Sequence, residues 1–116
     1  MSATTTDLAA IGDKAIDLQI AIEVRRAAVA NWRTALEDWK VAHGIHGYIP
    51  AGHPLLARMF EEVGASLAGL ARSRAKRNEK NARARLERAI RKALATSAKA
   101  EEYCLAEGVI DGAVAA

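Results

Sequence analysis

The stretch Leu8–Trp39, LAAIGDKAIDLQIAIEVRRAAVANWRTALEDW, decides the fold. Its large apolar residues recur every seven positions in two sets. Leu8, Ala15, Ile22, Val29 and Leu36 form one; Ile11, Leu18, Arg25, Trp32 and Trp39 form the other. Nine of these ten positions are apolar, which is the period of a helix with one buried stripe. Asp13, Lys14, Asp17, Glu23, Arg26, Arg33, Glu37, Asp38 and Lys40 lie off the stripe. Arg25 is the exception, and reads as a polar register device or as the edge of the buried face. A helix over residues 8–43 would be roughly 50 Å long at 1.5 Å per residue. One apolar stripe on so long a helix needs a partner surface. Trp32 and Trp39 are its largest anchors, each contributing about 2–3 kcal/mol when buried.

Working outward, residues 1–7 read as a polar leader, with Thr6 or Asp7 as N-cap. Gly44 reads as a helix stop. Gly44, Gly47, Pro50 and Gly52 then punctuate a loop over residues 44–53. Pro54 suits the first position of a second helix, expected over 54–71. Its stripe is Leu56, Met59 or Phe60, Val63, Leu67 and Leu70. The loop is short, so this helix returns antiparallel onto the Trp end of the first. Asn78 and Asn81 are better caps than interior helix residues, and a break is expected near them. Residues 72–107 read as a basic, then Ala-rich helical segment whose stripe resumes at Leu86, Ile90, Ala93 and Leu94. Tyr103, Cys104, Leu105, Val109 and Ile110 could form a last apolar patch, and residues 108–116 read as a frayed tail. Two Pro in 116 residues, much Ala, and few β-branched or aromatic residues exclude a sheet. The expected fold is all-α: one domain, a long coiled-coil-like antiparallel hairpin with a basic C-terminal helix.

Charge is strongly segregated. Arg72–Lys92, RSRAKRNEKNARARLERAIRK, holds ten of the seventeen Lys and Arg and only Glu79 and Glu87 as acids, a net of +8 in a chain of net +3. Three uses are open to such a run: a phosphate-binding strip, a solvated helix face, or a contact for acidic segments of neighbouring copies. The density of Arg favours the first, with binding that weakens steeply in salt. The candidate contacts are Arg72, Arg74, Lys76, Arg77, Lys80, Arg83, Arg85, Arg88, Arg91 and Lys92. No aromatic residue interrupts the run, so duplex backbone is a better partner than stacked single strands.

Other chemistry is sparse. His43, His46 and His53 lack a nearby Cys, and no metal or cofactor is expected. Ser66, Ser73 and Ser97 are isolated, and Glu61-Glu62 and Glu101-Glu102 point to different helix faces, so no catalysis is expected. There is no signal-peptide pattern and no membrane-spanning run. With a single Cys104, this places the protein in a cytoplasm. The first helix outruns its return partner, leaving Leu8, Ile11 and Leu18 to meet the C-terminal stripe or a second copy. Ile22, Val29, Trp32, Leu36 and Trp39 continue that core or oligomer seam, and a homo-oligomer is expected.

One segment carries a resemblance. Ala27–Ala71, AAVANWRTALEDWKVAHGIHGYIPAGHPLLARMFEEVGASLAGLA, resembles the phage terminase small-subunit family, also found in prophages and gene transfer agents. The shared order is a Trp-bearing helix (Trp32, Trp39), a Gly turn (Gly44), a loop Gly (Gly52), a His53-Pro54 opening and a helix from Leu56 through Leu70. Past Ala71 the chain departs from the family pattern, because Arg72-Ser73-Arg74 stands where a Gly-Leu-Thr-Pro turn is usual. The resemblance implies a non-enzymatic DNA-packaging component in a bacterial host cytoplasm. It would assemble as a ring, bind double-stranded DNA and recruit the large terminase ATPase-nuclease. The other reading is a small phage-encoded adaptor or inhibitor that binds protein and not DNA.

Overall fold

The computed structural model describes residues 5–106, with side-chain surroundings for residues 5–99. The outermost leader residues, the apolar patch of Tyr103 to Ile110 and the expected frayed tail lie outside the described side chains. Three helices follow in order: α1 (Thr5–Ala42), α2 (Pro54–Gly64) and α3 (Leu67–Ala106). No strand occurs among the described residues. The described residues are all-α and form a helical hairpin.

α1 begins before Leu8, so Thr6 and Asp7 lie inside its first turn, past the N-cap position expected of them. A carboxylate there is favourable, since the first turn exposes unpaired N–H groups and the positive end of the helix dipole. Lys40 complements the opposite end. The stop is a Schellman motif on Gly44, whose φ is +67°. Ile45 N–H donates to the Lys40 carbonyl at 2.9 Å, and Gly44 N–H to that of Val41 at 3.1 Å. Gly52, at φ +84°, supplies the left-handed third position of a turn closed by His53 N–H on the Pro50 carbonyl at 3.1 Å.

The residues form two compact units. The first, Gln19–Asn81, contains the loop, α2 and the flanking parts of α1 and α3. Its core is Ile49, Met59 and Val63, with Trp32, Ala35, Leu36, Trp39, Ile45 and Leu56 packed against it. α2 is expelled from water on this face alone. His53 caps it, its Nδ1 accepting the Leu55 N–H at 3.1 Å, and Pro54 follows in the first turn. The pairing of α1 with the return arm is antiparallel: Arg25 meets Glu79, Trp32 meets Arg72, and Trp39 meets Glu62. The second unit gathers the start of α1, up to Leu18, with α3 from Ala82 onward. There Ala82 and Ala93 are buried, and Ile11, Leu18, Leu86 and Ala89 are half-buried.

Three further expectations are corrected. The second helix does not run to Ala71. It ends at Gly64, and the Ser66 hydroxyl hydrogen-bonds the Val63 carbonyl while accepting the Gly69 N–H at 3.3 Å. One serine thus closes α2 and N-caps α3. This resets the helical phase, which leaves Leu67 at 87% and Leu70 at 54% exposure outside the expected stripe. Second, α3 runs unbroken through Asn78 and Asn81, because both side chains are exposed and Glu79 between them is held from α1. Third, the buried edge of α1 is turned one residue from the expected set. Ala28 is buried, and Ala21 and Ala35 are half-buried beside it, whereas Leu8 is 60% exposed and Ala15 is exposed. The cause lies on α3, whose inward residues Ala68, Ala75, Ala82 and Ala89 are half-buried or buried at seven-residue spacing. Small residues let helices approach closely, so alanines rather than leucines hold the centre of the seam.

Candidate nucleic-acid interface

α3 carries the whole basic run, beginning in its second turn. Inward positions recur as Ala68, Arg72, Ala75, Glu79, Ala82, Leu86, Ala89 and Ala93, each half-buried or buried. That 4-3 spacing is a heptad, so every other residue of the run is turned outward. Arg74, Lys76, Arg77, Lys80, Arg83, Arg85, Arg88, Arg91 and Lys92 are all exposed. They occupy all five outer heptad positions, so the charge forms a collar around the exposed arc and not a single stripe.

Arg72 is set apart from the other nine candidates. It is half-buried, and its guanidinium lies 4.8 Å from the centre of the Trp32 ring. Trp32 also lies near-parallel to Phe60, at 6.5 Å between ring centres. A guanidinium over an indole face is a stabilising cation–π contact, worth about 0.5–2 kcal/mol. Arg72 therefore serves the hairpin first.

The two acids of the run also have different fates. Glu79 points inward and accepts from Arg25 Nε at 2.8 Å, with 19% and 31% of the two side chains exposed. This resolves the one charged residue on the α1 stripe. Arg25 is inside the seam, and its carboxylate partner comes from the basic run. Glu87 is exposed and lies 3.6 Å from Arg91 Nη2. Nine exposed cations thus face outward with one exposed carboxylate among them, so the outer face keeps the full net charge of +8 that the run has in sequence, the withdrawn Arg72 and Glu79 cancelling.

Of the expected seam, Ile11, Leu18, Ile22, Val29, Trp32, Leu36 and Trp39 are half-buried, and Leu8 stands out in solvent. Two of the three histidines, His43 and His53, have structural work. His43 Nδ1–H donates to the Trp39 carbonyl at 2.8 Å while its ring stacks on the Trp39 indole at 3.8 Å between centres. His53 caps α2. Among the described residues no group of three or more His, Cys, Asp or Glu could hold a metal ion, and no helix is long and apolar enough to cross a membrane.

Sequence reading passed over Ser66 and Gly69. A signal existed for both, since a serine three residues before a glycine, just past a helix end, fits an N-cap and a close approach. The Ala68–Ala75–Ala82–Ala89 line was equally legible, but a search for large apolar residues misses a seam built from small ones. No protein-family model matches the chain, and neither a curated protein nor a solved structure matches it.

Proposed function

We propose that this protein is a non-enzymatic DNA-binding component of a packaging machine, akin to a terminase small subunit, that grips the duplex through α3. The observation that supports this best is the collar of nine exposed cations, with Glu79 withdrawn to Arg25 and only Glu87 left among them. Such a surface gains affinity chiefly by releasing counterions from phosphates. Recruitment of a large ATPase-nuclease and assembly from several copies belong to the same reading. Exposed Leu8, Ile16, Ile20 and Val24 on α1 offer apolar surface for a second copy.

Gel-shift titration against a 30-base-pair duplex tests the DNA claim. If about five phosphates are neutralised, affinity falls about 500-fold between 50 and 200 mM salt. Changing Arg74, Arg77 and Lys80 to Gln lowers the slope by about three. An unchanged affinity and slope would sink the assignment. Light scattering coupled to chromatography tests assembly, with one large species expected.

A second reading is an adaptor or inhibitor that docks a protein. It draws on Tyr48, Val41 and Leu67, which are 84%, 71% and 87% exposed in the loop-bearing unit. A monomer or dimer without DNA affinity favours it.

A further inference from the structure

We infer that the α3 segment Arg83–Lys92 docks inside the major groove of duplex DNA, and is not a strip laid along one phosphate row. The inference rests on the DNA-binding reading above and specifies where on the duplex that site acts. Ala82 and Ala93 are buried, and Leu86 and Ala89 half-buried, so one side of this segment is turned to the protein. Arg83 follows Ala82 directly. Arg85 precedes Leu86, and Lys92 precedes Ala93. At about 100° per residue these three stand at opposite edges of the exposed arc, Arg83 on one and Arg85 with Lys92 on the other. A helix resting on a single phosphate row needs cations on one edge only. Cations on both edges match a site with phosphates on both sides.

The B-form major groove is such a site. It is about 12 Å wide and 8.5 Å deep, and an α-helix is about 10–12 Å across. With the alanine seam turned away from DNA, Arg83 reaches one lip and Arg85 and Lys92 the other. The arc between them faces the base edges. Ala84 there, though half-buried, is small enough to permit close approach; Arg88 suits the O6 and N7 acceptors of guanine, and so does Arg91 once released from Glu87, 3.6 Å away. Glu87 is the discriminating residue. An exposed carboxylate opposes binding to a bare phosphate strip, but on the groove floor it can accept from a cytosine amino group. The segment spans about 14 Å along its axis, or about four base pairs.

A-form RNA offers no equivalent, because its major groove is deep and narrow and does not admit a helix. The test is direct competition between DNA and RNA duplexes of equal length for the full chain. DNA is expected to win by at least about tenfold. Glucosylation of 5-hydroxymethylcytosine, which fills the major groove, should weaken binding to a similar degree, while netropsin in the minor groove should not. Glu87→Gln, on an exposed position whose folding is checked by helical content, separates the two modes. Groove docking predicts a changed preference among sequences selected from a random pool. Backbone docking predicts a uniform gain in affinity. Equal binding to DNA and RNA duplexes, or a uniform gain for Glu87→Gln, overturns groove docking and leaves backbone binding standing. No binding to either duplex overturns both.

Discussion

Gly69→Ala adds one methyl group and is expected to damage the hairpin. An alanine Cβ at this position would lie 2.4 Å from the Gly64 carbonyl oxygen, 2.5 Å from that of Val63 and 2.7 Å from the Gly64 carbonyl carbon. All three are backbone atoms, so no side chain can swing aside. Restoring ordinary contact moves the last turn of α2 away from α3 by about 1 Å. That turn carries Val63, 4% exposed, and Met59, 5% exposed, which with Ile49 are the buried core of their unit. Overpacking of this kind costs typically 1–3 kcal/mol. The better helix propensity of Ala returns at most about 1 kcal/mol. The net expectation is a loss of about 1–2 kcal/mol. Gly64→Ala is the matched control, five residues away on the other side of the same contact. Its Cβ meets nothing within 4 Å, and its φ is not positive. It should leave stability unchanged or raise it by up to about 1 kcal/mol. Urea unfolding followed by circular dichroism at 222 nm, at two protein concentrations to expose any self-association, measures both. A Gly69→Ala protein as stable as the parent would refute the close helix approach from which the cost is worked.

Three further outcomes follow from named contacts. Arg25→Ala or Glu79→Gln should each cost about 1–2 kcal/mol, between the values for exposed and buried pairs because Arg25 remains about a third exposed. Exchanging the two charges should recover part of this, and a double-mutant cycle with no coupling would contradict the seam placement. Arg72→Gln should lower stability and shift Trp32 fluorescence while leaving the salt slope of DNA binding unchanged, whereas Arg77→Gln should cut that slope by about one without touching stability. Loss of the α2 cap in His53→Ala should cost about 0.5–1 kcal/mol and speed amide exchange at Leu55, and His53→Asn should restore both.

Much of α1 was legible because helix periodicity is a local property. The seven-residue recurrence from Ile11 to Trp39 needs no knowledge of a partner, and Gly44 and Pro54 mark their boundaries by backbone chemistry alone. The phase of the stripe was not legible. Leu8 and Ala15 fit the period as well as Ala21 and Ala28, and the choice between them depends on what α3 brings to the contact. The second helix misled for a related reason. Its apolar spacing continues through Leu67 and Leu70, and only the hydrogen bonds of Ser66 and the backbone contact at Gly69 show that the chain restarts there.

The basic run divides along the same line. Its net charge follows from sequence alone, because charge adds up regardless of conformation. Which cations reach solvent depends on pairing across residues 54 apart in the chain, as for Arg25 and Glu79. The sequence by itself determined a helical chain, its stops and a dense positive segment. The tertiary structure alone decided that Glu79 leaves the outer surface, that Arg72 rests on Trp32, and that nine cations encircle the exposed arc of α3. Those outcomes turn on close approach between distant segments, and close approach is set by the small residues that permit it.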